Sequence, residues 1–121
     1  MKKFLSAVAL SGTAQSQDYA RGYDAYEAGD YATALQEWRP LAEQGNEYAQ
    51  YGIGHLYHSG QGVPQDFVVA HMWYNIASGN GKENAPVGRD FVAELLTPQE
   101  LLTAQAMARE CMSSNYQNCG Y

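Results

Sequence analysis

The sequence has little of several features that mark common protein classes. Among its 121 residues there are two cysteines, seven lysines and arginines, and four prolines. The basic residues form no cluster and the formal net charge is −6, so the counterion release that drives nucleic-acid binding has no source. No apolar run reaches the roughly 20 residues that a membrane-spanning helix needs. The sequence therefore argues against a nucleic-acid partner and against a membrane-spanning protein.

What remains is the composition of one small globular domain. Hydrophobic residues make up 45% of the chain and charged residues 17%, which is enough apolar material for a core and few enough charges for a folded domain. The expected unit is a single folded domain over residues 17–112.

The N-terminus is typical of a targeting segment. Two lysines precede the apolar run Phe4–Leu10, and the small residues Ala14 and Ser16 frame a cleavage point after position 16. The sequence predicts a signal peptide over residues 1–16 and an exported protein, periplasmic or secreted. The alternative is an uncleaved, poorly ordered N-terminus.

The two cysteines lie near the C-terminus. Cys111 and Cys119 are eight positions apart, around a polar segment typical of turns. We predict a disulfide that ties the tail, residues 113–121, to the last helix, with a contribution of about 2–3 kcal/mol. A metal pair and a catalytic thiol are the alternatives, but no histidine lies nearby in sequence to assist either.

The segment from position 60 to 66 joins two helical patterns. The first helix should stop at Gly60, the chain should turn through Gly62 and Pro64, and the next helix should begin at Asp66. Apolar residues recur at helical spacing on both sides. This pattern predicts a helix hairpin.

The same hairpin pattern occurs earlier in the chain. Residues 34–45 can be laid over residues 70–81 at an offset of 36, which pairs Trp38 with Tyr74. Upstream of this segment the offset is 31, so the second copy has five extra residues in its loop. The pairs at the shorter offset are Tyr26 with Tyr57 and Gly29 with Gly60. Internal repetition of this length indicates stacked helix hairpins.

A third, less similar unit follows. We expect a helix from Ala85 to Leu96, then Thr97 as the cap of a last helix that runs to about Met112. The predicted fold is all-α, a short α-α superhelix (solenoid) of about three helix hairpins, with units at residues 18–45, 46–81 and 84–112. Pro40 should bend or shorten its helix. The apolar face expected on the last helix consists of Leu101, Leu102, Ala104, Met107, Ala108 and Cys111.

A specific set of small, aromatic and turn residues runs through the second unit: Ala49, Ile53, Gly54, Tyr57, Gly60, Gly62, Val63, Asp66, Ala70, Trp73, Tyr74 and Ala77. With this set the second unit resembles the Sel1-like repeat, a relative of the tetratricopeptide repeat, and only Ile53, where the family pattern has leucine, departs from that pattern. The first unit resembles a tetratricopeptide hairpin without the inserted loop. The resemblance implies a scaffold that binds protein or peptide partners on a concave surface and is not an enzyme.

In such arrays the first helix of each hairpin lines the concave side. One stripe on the helix of the second unit recurs at three- and four-residue steps, and the offset of 31 assigns acidic residues to the first unit. We expect a groove for a basic or aromatic peptide. The alternative is that these tyrosines only pack between units. The predicted binding residues are Tyr48, Tyr51, His55, His58, Asp24 and Glu27.

Other functions have weaker support in the sequence. His55 and His58 are spaced to share a metal ion, but no third ligand is fixed by the sequence, so no metal site and no cofactor are predicted. Cysteine-rich relatives suggest a β-lactam-binding or β-lactam-hydrolysing enzyme as an alternative. This chain has a single cysteine pair and no Ser-x-x-Lys motif. We expect a monomer or a weak homo-oligomer.

Overall fold

Six helices follow one another in the computed structural model, which describes residues 18–120. Among these residues there is no strand, and the helices are packed on one another, so the predicted all-α fold of helix hairpins is confirmed. The predicted signal peptide lies outside the described residues. The helices are α1 (residues 18–27), α2 (Tyr31–Ala42), α3 (Glu47–Ser59), α4 (Phe67–Gly79), α5 (Ala85–Ala93) and α6 (Pro98–Ser113).

Four helix boundaries lie at the capping and stop residues that the sequence indicated. The Asp30 carboxylate accepts a hydrogen bond from the backbone of α2, and Asp66 accepts two from the backbone of α4. Thr97 and Glu100 form a reciprocal capping box at the start of α6. Gly60 ends α3 with a φ of 69°, a left-handed conformation that favours glycine.

The chain departs from the predictions at two helical positions, the end of α5 and Leu102. α5 ends at Ala93 rather than Leu96, because the chain leaves the helix through a tight turn before the Thr97 cap. α2 includes Pro40 and ends two residues beyond it, and the bend or shortening expected from Pro40 stays a prediction. Leu102 is 59% exposed, because it lies on the opposite side of α6 from its buried residues. Those buried residues are Ala104, Ala108 and Cys111.

Two large aromatic side chains are each held between glycines of neighbouring helices. Trp38 of α2 lies between Gly22 of α1 and Gly52 of α3, and a Cβ added at Gly52 would lie 2.7 Å from its ring. Tyr74 of α4 lies in the same way between two other glycines. Trp38 and Tyr74 are the two residues that the offset of 36 aligns with each other in the sequence comparison.

The Tyr74 ring connects α3 to α5 in the way that Trp38 connects α1 to α3. A Cβ added at Gly54 would lie 2.8 Å from the Tyr74 ring, and one added at Gly88 would lie 3.0 Å from it. Tyr74 is only 1% exposed, so its ring has no room to move away. Successive odd-numbered helices therefore approach one another closely, with an aromatic ring from the intervening helix between them.

Substitution of Gly52 by alanine should destabilise the fold. We expect a loss of about 1–3 kcal/mol in the free energy of unfolding, because the added methyl overlaps the buried Trp38 ring. Urea denaturation measures this value. The matched control is Gly79→Ala, at a helical position with nothing within 4 Å of an added Cβ, where a gain of up to about 1 kcal/mol is expected. Equal effects of the two substitutions would contradict the close approach.

The predicted disulfide is present between Cys111 and Cys119, and both residues are buried. It closes a nine-residue segment at the end of α6. The segment returns to the body of the protein through Tyr116, which belongs to the side chains packed on the main core cluster. The tail is therefore anchored at two points, by the disulfide and by the Tyr116 ring.

A partly buried polar chain connects the tail to the first two hairpins. The Asn80 amide nitrogen lies 3.0 Å from the Tyr116 hydroxyl and donates to the Gln50 side-chain oxygen at 2.9 Å. Gln50 is fully buried and donates in turn to the backbone oxygen of Ala42, the last residue of α2, at 3.0 Å. No fully buried side-chain polar atom of Gln50, Asn80 or Tyr116 lacks a partner, so the network costs little to bury.

Candidate binding trough

Two clefts lie on the side of the protein formed by α1, α3 and α5. The cleft between α1 and α3 has a volume of about 200 Å³, and the cleft between α3 and α5 has a volume of about 400 Å³. Tyr51 and His55 of α3 line both of them. The two clefts therefore adjoin at these residues, and we call the pair of clefts the trough.

Helix α3 supplies the middle of the trough. Three residues of the predicted stripe, Tyr51, His55 and His58, are partly buried and line its clefts. Tyr48, the fourth, is 49% exposed and lies nearer the start of the helix. The Lys82 ammonium lies 5.3 Å from the centre of the Tyr48 ring and 5.0 Å from the centre of the Tyr51 ring. The structure thus places the four predicted residues on one side of α3.

Helix α1 supplies tyrosines rather than acidic residues. Tyr19, Tyr23 and Tyr26 line the cleft between α1 and α3. The predicted residues Asp24 and Glu27 are exposed beside them and do not line that cleft. This end of the trough is therefore aromatic, and a binding role of the two carboxylates stays a prediction.

Tyrosines rather than acidic residues face the cleft because the offset of 31 that aligned α1 with α3 is wrong by one residue. The sequence comparison aligned Gly29 with Gly60, 31 positions apart. In the structure Gly60 directly follows the last residue of α3, whereas Gly29 lies two residues beyond the end of α1. The glycines that face the sandwiched rings, Gly22 and Gly54, are 32 positions apart. At the offset of 32, Tyr23 takes the place of His55.

The two histidines of the trough each meet a tyrosine hydroxyl. His55 Nε2 lies 2.9 Å from the Tyr26 hydroxyl, and His58 Nδ1 lies 3.1 Å from the Tyr74 hydroxyl. Burial, and secondarily the neighbouring His58, lower the pKa of His55, so this ring is neutral at neutral pH. Burial raises the pKa of the Tyr74 phenol, which therefore keeps its proton. His55 and Tyr74 therefore contribute polar but uncharged groups to the trough.

Helix α5 forms the third wall, which the sequence analysis missed. Its apolar side chains Val87 and Phe91 are 73% and 57% exposed and line the cleft between α3 and α5. Their spacing of four residues places them on one side of the helix. This spacing is the signal that could have identified an apolar stripe distinct from the buried Val92.

A larger cleft of about 770 Å³ lies elsewhere, between α4 and α6. Its walls mix apolar residues such as Ile76 and Met112 with Asn75, Gln105 and Arg109. Among residues 18–120, no aromatic ring lines it. We regard the trough as the better candidate site, because rings combine large contact area with directional contacts.

Two further features, a metal-binding cluster and a membrane-spanning helix, are absent from the described residues. Over residues 18–120 no group of three or more His, Cys, Asp or Glu side chains is placed to hold a metal ion. Among the six helices there is none with the length and apolar character required to cross a membrane.

No protein-family model, no curated protein and no solved structure matches the chain. The resemblance to Sel1-like repeats therefore rests on the motif residues of the second unit alone.

Proposed function

We propose that the protein is an exported Sel1-like repeat scaffold that binds an extended segment of a protein partner in the trough. The motif residues of the second unit support the family assignment. A buried disulfide is typical of proteins in oxidising compartments and supports export. The expected partner segment carries aromatic or basic side chains, because rings and an acidic net charge favour both.

The observation that carries this proposal is that the two clefts of the trough adjoin. They share Tyr51 and His55, and an extended segment that crosses these two residues would contact α1, α3 and α5 together. Tyr23 at one end and Phe91 at the other are 47% and 57% exposed. Exposed aromatic rings leave apolar surface in contact with water, which is unfavourable. A partner that covers the rings removes this surface from water and gains the corresponding free energy.

The test is selection of peptide ligands followed by substitution at both ends of the trough. Peptides are selected from a random library on the protein lacking residues 1–16, and their affinities are measured by fluorescence polarisation. The double variant Tyr23→Ser/Phe91→Ser should bind them at least about tenfold more weakly, because two exposed rings are lost from the contact. Circular dichroism should be unchanged, since neither side chain is in the core.

The matched control removes exposed apolar side chains from another face. Leu102 and Met112 of α6 are 59% and 41% exposed, and the variant Leu102→Ser/Met112→Ser should retain full affinity. Equal losses in the two variants would mean that binding follows general surface hydrophobicity. Selected peptides that crosslink only to α6 would contradict the proposed site.

A further inference from the structure

Aromatic rings surround the cleft between α3 and α5 at several orientations. The ring centres of His58 and Phe91 are 5.4 Å apart and their planes differ by 38°. Those of His55 and His58 are 6.2 Å apart with planes at 73°. Tyr51 forms the adjoining wall, and Phe91 is largely exposed. Rings arranged around a space in this way are typical of sites for alkylammonium ions, which are attracted to ring faces.

The floor of the cleft supports the ring walls. The Tyr74 ring is closely approached by Gly54 and Gly88 and is 1% exposed, so it offers no free face to a ligand. Its centre lies 5.5 Å from that of Tyr51, and its hydroxyl lies within hydrogen-bonding distance of His58. Tyr74 therefore fixes the orientation of the two rings beside it. Such pre-organisation lowers the cost of binding a ligand between them.

The protein's own ammonium group shows how the rim of the cleft receives a cation. Lys82 Nζ lies 5.0 Å from the centre of the Tyr51 ring and donates a hydrogen bond of 2.7 Å to Asn84, which also lines the cleft. Lys82 shares a small adjoining recess with Glu47 and Glu83. Two carboxylates against one ammonium leave that recess with a net negative charge, which favours the approach of a cation from this side.

We propose that the cleft between α3 and α5 binds an alkylammonium group over the rings of Tyr51, His58 and Phe91. Its volume of about 400 Å³ is within the usual range for small-ligand sites. Two sources supply this chemistry: a free quaternary ammonium compound, and the lysine or methylated lysine side chain of a peptide. The free compound needs no protein partner, so this site can exist even where the proposed scaffold function is wrong.

The test compares a cation with its uncharged equivalent of the same shape. Choline and 3,3-dimethylbutan-1-ol differ by a quaternary nitrogen in place of a carbon, and both are titrated into the protein with detection by nuclear magnetic resonance. Choline should bind about three- to thirtyfold more tightly, because only the cation is attracted by the ring faces. The amide of Gly88 and the side chains of His55 and His58, all at the cleft, should shift.

Two variants separate a cation site from a merely apolar one. Phe91→Leu keeps an apolar side chain but removes a ring face, so choline affinity should fall by about three- to tenfold while the neutral alcohol is little affected. Lys82→Met removes a like charge from the rim, so choline affinity should rise by about two- to fivefold. Leu102→Ala on α6 is the control and should change neither affinity.

A peptide arm distinguishes the two sources of the cation. One peptide is prepared with a central lysine, trimethyllysine or norleucine. Tighter binding of a charged peptide than of choline indicates a side-chain ligand, and tighter binding of choline indicates a free compound. Both results support the site. Equal affinities for choline and the neutral alcohol, absence of binding by every cation tested, or weaker choline binding by Lys82→Met would overturn it.

Discussion

Replacement of Trp38 by alanine is expected to lower the free energy of unfolding by about 3–5 kcal/mol, the usual cost of removing a large buried aromatic side chain. Trp38 is 3% exposed and fills the space between Gly22 and Gly52. Neither glycine has a side chain that could move into the cavity. The site therefore cannot collapse easily, which places the cost toward the upper end of the range. Denaturation in urea measures it.

The loss should be greatest at α1. The Trp38 indole nitrogen donates to the backbone oxygen of Tyr19 at 3.1 Å, and the two rings stack with centres 5.6 Å apart. Without these contacts α1 should open independently of the rest of the chain, so its amides should exchange hydrogen much faster than those of α4. Trp38→Phe is the control, because it keeps a ring between the glycines. Uniform acceleration of exchange in all helices would contradict a local role.

The parts of the fold that could be predicted are those determined by local sequence. The loop that follows Gly60 combines a left-handed glycine with the capping aspartate Asp66, and both act within a few residues of their own position. The Thr97 capping box is local in the same sense. The disulfide could be predicted because two cysteines allow only one pairing.

The parts that could not be predicted depend on contacts between distant segments. The offset of 31 predicts that Asp24 and Glu27 of α1 face the trough. This offset aligns Gly29 with Gly60, but Gly29 lies one residue further from the end of its helix, and a shift of one residue changes which side chains of a helix face inward. Leu102 and Phe91 are apolar and exposed, because packing against neighbouring helices, not hydrophobicity, decides which face is covered. Gln50 is polar and fully buried, which only its partners in the folded structure explain.

Removal of the disulfide is the second change with a large expected effect. The double variant Cys111→Ala/Cys119→Ala should lose about 2–3 kcal/mol in the free energy of unfolding, because the short closed loop no longer restricts the unfolded chain. Thermal and urea denaturation of the oxidised protein and the variant measure the difference. Export in the cell should be tested separately, since a less stable protein is degraded faster.

The structure further predicts that the disulfide and Tyr116 act together. In the intact protein Tyr116→Phe should cost about 1 kcal/mol, because the Tyr116 hydroxyl is a hydrogen-bonding partner of Asn80. In the cysteine-free variant the tail keeps the Tyr116 contacts and the hydrogen bond from Asn118 to Glu110 but loses its covalent link, so the tail should detach in part and the same substitution should cost less. A double-mutant cycle measures this coupling. Fully additive costs would contradict it, because they would show that Tyr116 stays docked without the disulfide.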